Sequence, residues 1–181
     1  DAESADLQTL LSTQTIDDVV GYPNPTILEE KLAKQYGVEP EQVIVTAGGD
    51  ESLERACKSV LMPGTEIVVP HPTFEMIPIY AGLCGAEVVD VPWVDGAYPV
   101  QEVLGAITEK TRAIVMISPN NPTGKSLSAG EVEQLVEGAK DVLVIADLAY
   151  AEFAEDDLMP TLLKYPNVIV TRTFSKALGL A

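Results

Sequence analysis

The sequence predicts an α/β protein with three layers, in which a mostly parallel β-sheet lies between two layers of helices. Apolar runs that predict strands alternate along the chain with segments that have the periodicity of amphipathic helices. The strand-like runs are apolar throughout, as in Ile67-Val68-Val69, and do not alternate between apolar and polar residues. Continuous apolar strands are buried on both faces, which is typical of parallel sheets covered by helices.

The first part of the chain predicts helices and loops. Its polar start can form a short helix near residues 7–11, and a loop with two prolines then disfavours helix. The next predicted helix covers residues 27–36. Thr26 and Glu29 have the spacing of a capping box at its start, and Gly37 ends it.

Strands and helices then alternate to the end of the chain. The predicted strands are at residues 43–46, 67–69, 88–91, 113–117, 142–146 and 167–171. Between them, helices are predicted after Gly48-Gly49, at residues 73–83 and 100–107, after Ser128, and at residues 158–163. Two helices show a clear apolar stripe, formed by Leu53, Ala56, Cys57, Val60 and Leu61 in one and by Val132, Leu135, Val136 and Ala139 in the other. Ser128 and Glu131 form a second predicted capping box.

Composition excludes several classes of function. The 181 residues include 28 acidic and 11 basic side chains, a net charge of −17, whereas nucleic-acid binding favours a basic face. No apolar run reaches the roughly 18 residues of a membrane helix, and the acidic start does not resemble a signal peptide. We therefore expect a cytoplasmic protein with neither a nucleic-acid nor a membrane partner.

The cysteine and histidine content argues against metal and disulfide chemistry. Cys57 and Cys84 both lie in apolar patterns, so we expect small buried hydrophobic side chains and no disulfide. His71 is the single histidine of the chain. Because two separated cysteines and one histidine make a poor ligand set, we expect no transition-metal site.

Five chemically distinctive stretches each follow a predicted strand. They are Gly48-Gly49-Asp50, Pro72-Thr73-Phe74, Asn120-Asn121, Asp147 and Lys176. Ligands of parallel α/β sheets bind beyond the carboxyl ends of the strands. We therefore expect these stretches to surround one ligand site.

The glycine turn and the lysine each have a functional and a purely structural interpretation. Gly48-Gly49 before a helix offers backbone N–H groups that can bind phosphate, or it forms a tight turn that needs positive φ. Since the Asp50 carboxylate would repel phosphate, we expect the contact through the backbone of Gly49 and Asp50. Lys176 is a candidate Schiff-base nucleophile if desolvated, and otherwise a solvated residue at a helix start.

The other three candidates also leave alternatives open. Phe74 can be part of the core, and Asn121 can simply shape the turn before Pro122. Asp147 ends a buried strand, where a lone carboxylate is costly unless it is paired. This cost predicts a cationic partner for Asp147.

Three motifs occur in a fixed order, each after its own strand: Ser118-Pro119-Asn120-Asn121-Pro122-Thr123-Gly124, Ala146-Asp147-Leu148-Ala149-Tyr150 and Thr173-Phe174-Ser175-Lys176. Together they resemble the fold-type I pyridoxal-phosphate enzymes, the aspartate-aminotransferase superfamily, and within it the histidinol-phosphate aminotransferase branch. The resemblance extends from Gly21 to Ala181. It implies the large domain of the aspartate-aminotransferase fold, a pyridoxal 5'-phosphate cofactor, and transamination between an amino acid or amino phosphate and a 2-oxo acid.

The resemblance implies a role for each ring-contacting residue. Lys176 would bind the cofactor as an internal aldimine and then act as general base and acid. Asp147 would keep the pyridine nitrogen protonated, and Phe74 would stack on the ring. Asn121 and Tyr150 would hydrogen-bond the phenolic oxygen of the ring.

The resemblance also implies phosphate contacts and a homodimer. Thr173 and Ser175 would help the glycine turn hold the phosphate. Tyr22 would reach the phosphate of a neighbouring subunit, which is why a dimer is expected.

The sequence departs from the family pattern at two places. Leu148 stands where the family commonly has an acidic residue. The chain ends at Ala181, before the family's phosphate-binding arginine, an antiparallel strand and the C-terminal small domain. We therefore expect a polar segment at residues 1–20 and a truncated cofactor-binding domain at residues 21–181, with weak cofactor affinity and a tendency to associate.

Two other functions share these residues. A decarboxylase of the same fold, similar to threonine-phosphate decarboxylase, would use the same cofactor contacts. A catalytically inert fragment that binds phosphate would keep the glycine turn without turnover.

Overall fold

A computed structural model of the protein describes residues 8–9 and 11–180, with the side chains of residues 18 and 19 excepted. The chain divides into two compact units, Asp1–Val45 and Thr46–Ala181. Of the short helix predicted near residues 7–11, residues 7 and 10 lie outside the described residues.

The first unit contains short helices and turns. Helix α1 covers Ile16–Val20, helix α2 covers Thr26–Tyr36, and a 3-10 turn follows at Pro40–Gln42. Gly37 ends α2 in the left-handed conformation, with φ of 68°, as predicted. Glycine adopts this conformation without the steric cost that a Cβ would bring.

The capping box predicted at the start of α2 is wrong. The N-cap is Pro25, which makes no side-chain capping bond, and the Thr26 N–H donates to Oδ1 of Asn24 at 3.1 Å. The Glu29 carboxylate instead accepts the N–H of Val45 at 3.0 Å. The helix therefore begins one residue earlier than the spacing suggested.

The strand predicted at residues 43–46 is also wrong. These residues are extended but pair with no strand in the described part of the chain. Ile44 is 69% exposed, so the apolar run is not buried. An apolar run becomes a strand only where a neighbouring backbone completes its hydrogen bonds, and here the Val45 N–H bonds a side chain.

The second unit is built on a parallel sheet. Its strands are β1 (Glu66–His71), β2 (Glu87–Pro92), β3 (Thr111–Ile117), β4 (Leu143–Asp147) and β5 (Val168–Thr171). They pair in the order β2-β1-β3-β4-β5, and every pairing is parallel. The five strand predictions in this unit are confirmed. Because all strands run the same way, their carboxyl ends meet at one edge of the sheet.

Helices cover both faces of the sheet. They are α3 (Gly48–Val60), α4 (Met76–Leu83), α5 (Val100–Gly105), α6 (Ala129–Gly138) and α7 (Met159–Leu162), with a 3-10 turn at Ala151–Phe153. Alternate strand residues point to opposite faces. Ile67, Val69 and Val115 pack in one cluster with α3 and α4, while Val68 and Ile114 between them are equally buried. Burial of both sets gives the predicted three-layer α/β/α architecture.

The apolar stripes of two helices pack as predicted. Leu53, Ala56 and Cys57 of α3 are buried, and Cys57 and Cys84 are both free thiols. In α6, the Ser128 hydroxyl accepts the N–H of Glu131, which confirms the second capping box. None of the helices among the described residues is long and apolar enough to cross a membrane.

One helix starts later than predicted. Residues 73–75 form a loop, and α4 begins only at Met76, so Phe74 is not helical. The Thr73 hydroxyl donates to Oδ1 of Asn120 at 2.8 Å. This contact holds the Thr73 side chain against another loop instead of at the cap of α4.

Candidate active site

A cavity of about 220 Å³ lies at the carboxyl edge of the sheet in the second unit. Its lining comes from loops at the ends of β1, β3, β4 and β5 and from the first turns of α3. The lining residues are Gly48, Gly49, Asp50, Leu53, Phe74, Ile117, Asn121, Asp147, Ala149, Tyr150, Thr173, Ser175 and Lys176. The structure thus brings together every site residue that the sequence predicts in this unit.

Tyr22 belongs to the first unit. Its side chain is fully exposed, at 102% of the reference area. Its contact with the phosphate of a neighbouring subunit stays a prediction.

The start of α3 lies against the end of β5. A Cβ placed on Gly49 would lie 3.7 Å from Cγ2 of Thr171 and 3.8 Å from Cβ of Thr173. The hydroxyl groups of Ser52 and Thr171 are 2.9 Å apart and share a hydrogen bond. The first N–H groups of a helix have no partner within the helix, so this end of α3 offers donors toward the cavity.

Glu51 does not add a free negative charge to this helix start. Its carboxylate accepts the Ala47 N–H at 2.5 Å and pairs with the guanidinium of Arg55 at 2.6 Å. The hydrogen bond from Ala47, and then that from Arg55, lowers the pKa of Glu51.

Asp147 is the buried acid of the cavity. It is 4% exposed, and its Oδ1 accepts the N–H of Ala149 at 2.9 Å. Burial raises the pKa of Asp147 to about 6, with a further contribution from the charge of Asp50, while the Ala149 N–H and Lys176 act in the opposite direction. A buried carboxylate of this kind favours a cationic or N–H partner within the cavity.

Lys176 lies beside the ring of Tyr150. Its Nζ is 5.6 Å from the ring centroid, within the range of a cation–π contact. The side chain is exposed, not desolvated, in this structure. Just before it, the Thr173 hydroxyl donates to Oγ of Ser175 at 3.0 Å and accepts the Ser175 N–H at 3.1 Å. This turn fixes the course of the chain into Lys176.

A second, larger cavity of about 380 Å³ shares a wall with the first. Asn121 and Tyr150 line both cavities. Pro119, Pro122 and Phe153 give the larger cavity a partly apolar lining. Asn121 and Tyr150 therefore lie at the boundary between the two cavities.

Two sets of contacts around the site were missed from the sequence. Asn120 is 2% exposed and hydrogen-bonds both Thr73 of the loop after β1 and Thr123 of its own loop. The sequence predicts a role only for its neighbour Asn121. Arg172 forms an ion pair with Glu152, which joins the loop before Lys176 to the turn after Tyr150. Opposite charges 20 residues apart carry no local pattern, and a tertiary structure was needed to pair them.

The described residues contain no group of three or more His, Cys, Asp or Glu side chains that could hold a metal ion.

Comparison with known proteins places this chain in a family. The family model for aminotransferase class I and II matches residues 3–181. The chain belongs to the class I and II aminotransferases, a family of pyridoxal-phosphate enzymes. Among its relatives, the histidinol-phosphate aminotransferase of Geobacillus sp. (strain WCH70) is 37% identical over 173 residues. This alignment covers 92% of the chain and 47% of that relative.

Other relatives share the same region. The aromatic amino acid aminotransferase of Thermobifida fusca (strain YX) is 34% identical over 171 residues, which are 91% of this chain and 48% of that relative. The crystal structure of histidinol-phosphate aminotransferase from Sinorhizobium meliloti in complex with pyridoxal-5'-phosphate superposes with a TM-score of 0.83 at 27% identity. It covers 91% of this chain and 47% of that structure. The chain spans about half the length of the curated relatives it matches.

Proposed function

We propose that this chain forms the cofactor-binding part of a pyridoxal-phosphate-dependent aminotransferase of the histidinol-phosphate type. The observation that carries the proposal is the convergence of residues from separate loops on one cavity at the carboxyl edge of the sheet. Residues 21–181 are the proposed cofactor-binding domain. The amino donor is an amino acid or amino phosphate, and the acceptor is a 2-oxo acid.

The ring-facing side of the cavity suits a pyridine aldehyde. Asp147 is a buried carboxylate, and a protonated ring nitrogen would offset the cost of its charge. Asn121 and Tyr150 carry groups that can donate to the phenolic oxygen. Phe74 is half-buried and lines the same space, where its ring can stack on another ring.

The opposite side of the cavity suits a phosphate. The backbone N–H groups at the start of α3, at Gly49 and Asp50, combine with the positive end of the helix dipole. Thr173 and Ser175 add two hydroxyl groups in the same cavity. None of these donors carries a full charge, so they would hold an anion by hydrogen bonds and by the partial positive charge of the helix start.

The chain's own residues have distinct tasks in the proposed reaction. When bound, the cofactor supplies an electron sink that stabilises a carbanion next to the amino group. Lys176 would hold the cofactor through its Nζ and would serve as general base and acid toward the bound substrate. The negative charge of Asp147 holds the ring nitrogen in its protonated form. Tyr150 and Asn121 fix the orientation of the ring.

The names of two relatives support the proposed substrate class. One relative acts on histidinol phosphate by its name, and another on aromatic amino acids. Both names describe donors that carry a ring. We further propose a homodimer in which Tyr22 reaches the phosphate of the neighbouring subunit.

Titration with pyridoxal phosphate tests the assignment of the lysine. The protein should develop an imine absorption band that is absent in Lys176→Ala. Lys164→Ala is a matched control, because Lys164 is an exposed lysine that pairs only loosely, at 3.7 Å, with Glu133. Equal bands in Lys176→Ala and the control would reject Lys176 as the attachment site.

A product assay separates transamination from decarboxylation. The longer parent protein should convert a 2-oxo acid to its amino acid only when an amino donor is present. Carbon dioxide release without amino transfer would instead support a decarboxylase, and binding without either product would support an inert module.

A further inference from the structure

We infer that Asn120 is a positioning residue that locks two loops of the proposed cofactor site to each other. One loop follows β1 and carries Phe74, and the other follows β3 and carries Asn121. The effect on cofactor binding rests on the proposed function, whereas the coupling of the loops rests on geometry alone.

The side-chain amide of Asn120 uses its donors and its acceptor across the two loops. Oδ1 accepts the hydroxyl of Thr73 at 2.8 Å, and Nδ2 donates to the carbonyl of Pro72 at 2.9 Å. Nδ2 also donates to Oγ1 of Thr123 at 2.9 Å. An amide side chain offers two N–H donors and one carbonyl oxygen, so each of its groups is engaged here.

The backbone of Asn120 closes its own loop as well. Its N–H donates to the carbonyl of Lys125 at 2.7 Å, and its carbonyl accepts the N–H of Gly124 at 2.7 Å. Gly124 has φ of 70°, a conformation that glycine adopts readily. Asn120 is thus the point where the loop after β3 is held both to itself and to the loop after β1.

Asn120 lines the larger cavity but not the smaller one. Its position shows how it would act on the smaller cavity through its neighbours. Thr73 precedes Phe74, and Asn120 precedes Asn121, so each bonded residue is the direct neighbour of a cavity residue. Because Asn120 is 2% exposed, loss of its amide would leave buried polar groups unpaired. The ring of Phe74 and the amide of Asn121 would then move independently.

The chain provides a matched control in Asn167. Its Nδ2 donates to the carbonyls of Ala139 at 2.9 Å and Val142 at 3.2 Å. Like the bond from Asn120 to Pro72, these bonds join a side-chain amide to a backbone carbonyl. They lie at the amino end of β5, away from the cavity. A general loss of stability should therefore appear in both Asn120→Ala and Asn167→Ala. A change in the cofactor site should appear only in Asn120→Ala.

Hydrogen exchange of the cofactor-free protein tests the coupling directly. In Asn120→Ala, exchange should rise in peptides covering residues 70–76 and also in those covering 118–126. In Asn167→Ala, it should rise near residues 139–143 and leave both loops unchanged. A rise confined to residues 118–126 in Asn120→Ala, or no rise in either loop, would overturn the inference.

Cofactor titration tests the consequence for binding. Asn120→Ala should bind pyridoxal phosphate about 10-fold more weakly than the wild type, while Asn167→Ala should bind it unchanged even if its melting temperature falls equally. Equal weakening in both variants, or none in Asn120→Ala, would overturn the assignment to the site.

A milder variant keeps the test decisive if Asn120→Ala does not fold. Thr73→Val removes a single hydroxyl and should raise exchange in both loops with a smaller loss of affinity, about 3-fold. Unchanged exchange in both loops would contradict the coupling. If the wild type itself does not bind the cofactor, the proposed function fails, and the exchange experiment alone still decides the role of Asn120.

Discussion

The carboxyl group of Asp147 is buried at an electrostatic cost to the folded protein. It is almost fully buried at the end of β4, and burial raises its pKa to about 6. Its ordinary pKa, and hence its pKa in the unfolded chain, is about 3.8. Near neutral pH the folded protein therefore holds a charge that burial disfavours, and a cationic ligand would relieve that cost.

The first prediction concerns Asp147→Asn and pH. Between pH 4 and 6 the folded wild type retains a proton that the unfolded chain has lost, so this residue makes stability fall as pH rises through that window. Asp147→Asn removes this effect and should be more stable than the wild type above pH 6, by an amount on the order of 3 kcal/mol in the cofactor-free protein.

Urea unfolding of both proteins at several pH values measures the difference. It should be small at pH 4 and grow toward pH 7, while cofactor affinity is lower in the variant. A difference that is constant across this range would show that Asp147 does not carry the raised pKa.

At the scale of an element, two predicted capping boxes have the same spacing, but only one of them forms in the structure. Ser128 and Glu131 cap α6 as predicted, and the Glu131 carboxylate accepts the Ser128 N–H at 2.7 Å. Thr26 and Glu29 do not cap α2, because Pro25 is the N-cap and Thr26 already lies inside the helix. The Glu29 carboxylate accepts the N–H of Val45, and a distant donor alone does not prevent a box, since Glu131 also accepts the N–H of Tyr98 at 3.0 Å. The spacing is local information, and only the folded chain shows at which residue the helix begins.

The second prediction compares these two helix starts. Ser128→Ala removes a hydroxyl that accepts the Glu131 N–H and should lower the free energy of unfolding by about 1 kcal/mol. Thr26→Ala should change it much less, since Pro25 and not Thr26 is the N-cap of α2. Urea midpoints followed by circular dichroism provide the measurement. An equal loss in both variants would mean that the hydroxyl of Ser128 does not stabilise α6 as a cap.

The strands show what a sequence can and cannot specify. The apolar composition of runs such as Ile67–Val69 predicts buried strands, because helices cover both faces of each strand. Residues 43–46 have a similar composition but no strand partner among the described residues, and composition does not report partners. For the same reason the cavity residues could be placed from their positions after strands, whereas the bonds of Asn120 to Pro72 and Thr73 could not.

At the scale of the whole molecule, the charge is strongly unbalanced. The chain carries a net charge of −17. Its ion pairs include exposed pairs between neighbouring helical turns, such as Arg55 with Glu51 and Lys58 with Glu54. Exposed pairs of this kind stabilise little, so repulsion among the excess carboxylates should dominate the electrostatics of folding.

The third prediction follows from this charge. Salt screens the repulsion, so the melting temperature should rise as sodium chloride is increased from low to physiological ionic strength. Differential scanning fluorimetry at fixed pH measures it. A melting temperature that falls over this range would show that the ion pairs outweigh the repulsion.

We propose above that the cavity at the carboxyl edge of the sheet binds pyridoxal phosphate and that Lys176 attaches it. Reduction of the protein–cofactor mixture with borohydride makes such an attachment permanent, and peptide mapping by mass spectrometry then locates it. The predicted result is a single modified lysine, Lys176, whose modification is lost in Lys176→Ala. Modification distributed over exposed lysines such as Lys58 and Lys164, with Lys176 unmodified, would contradict the account.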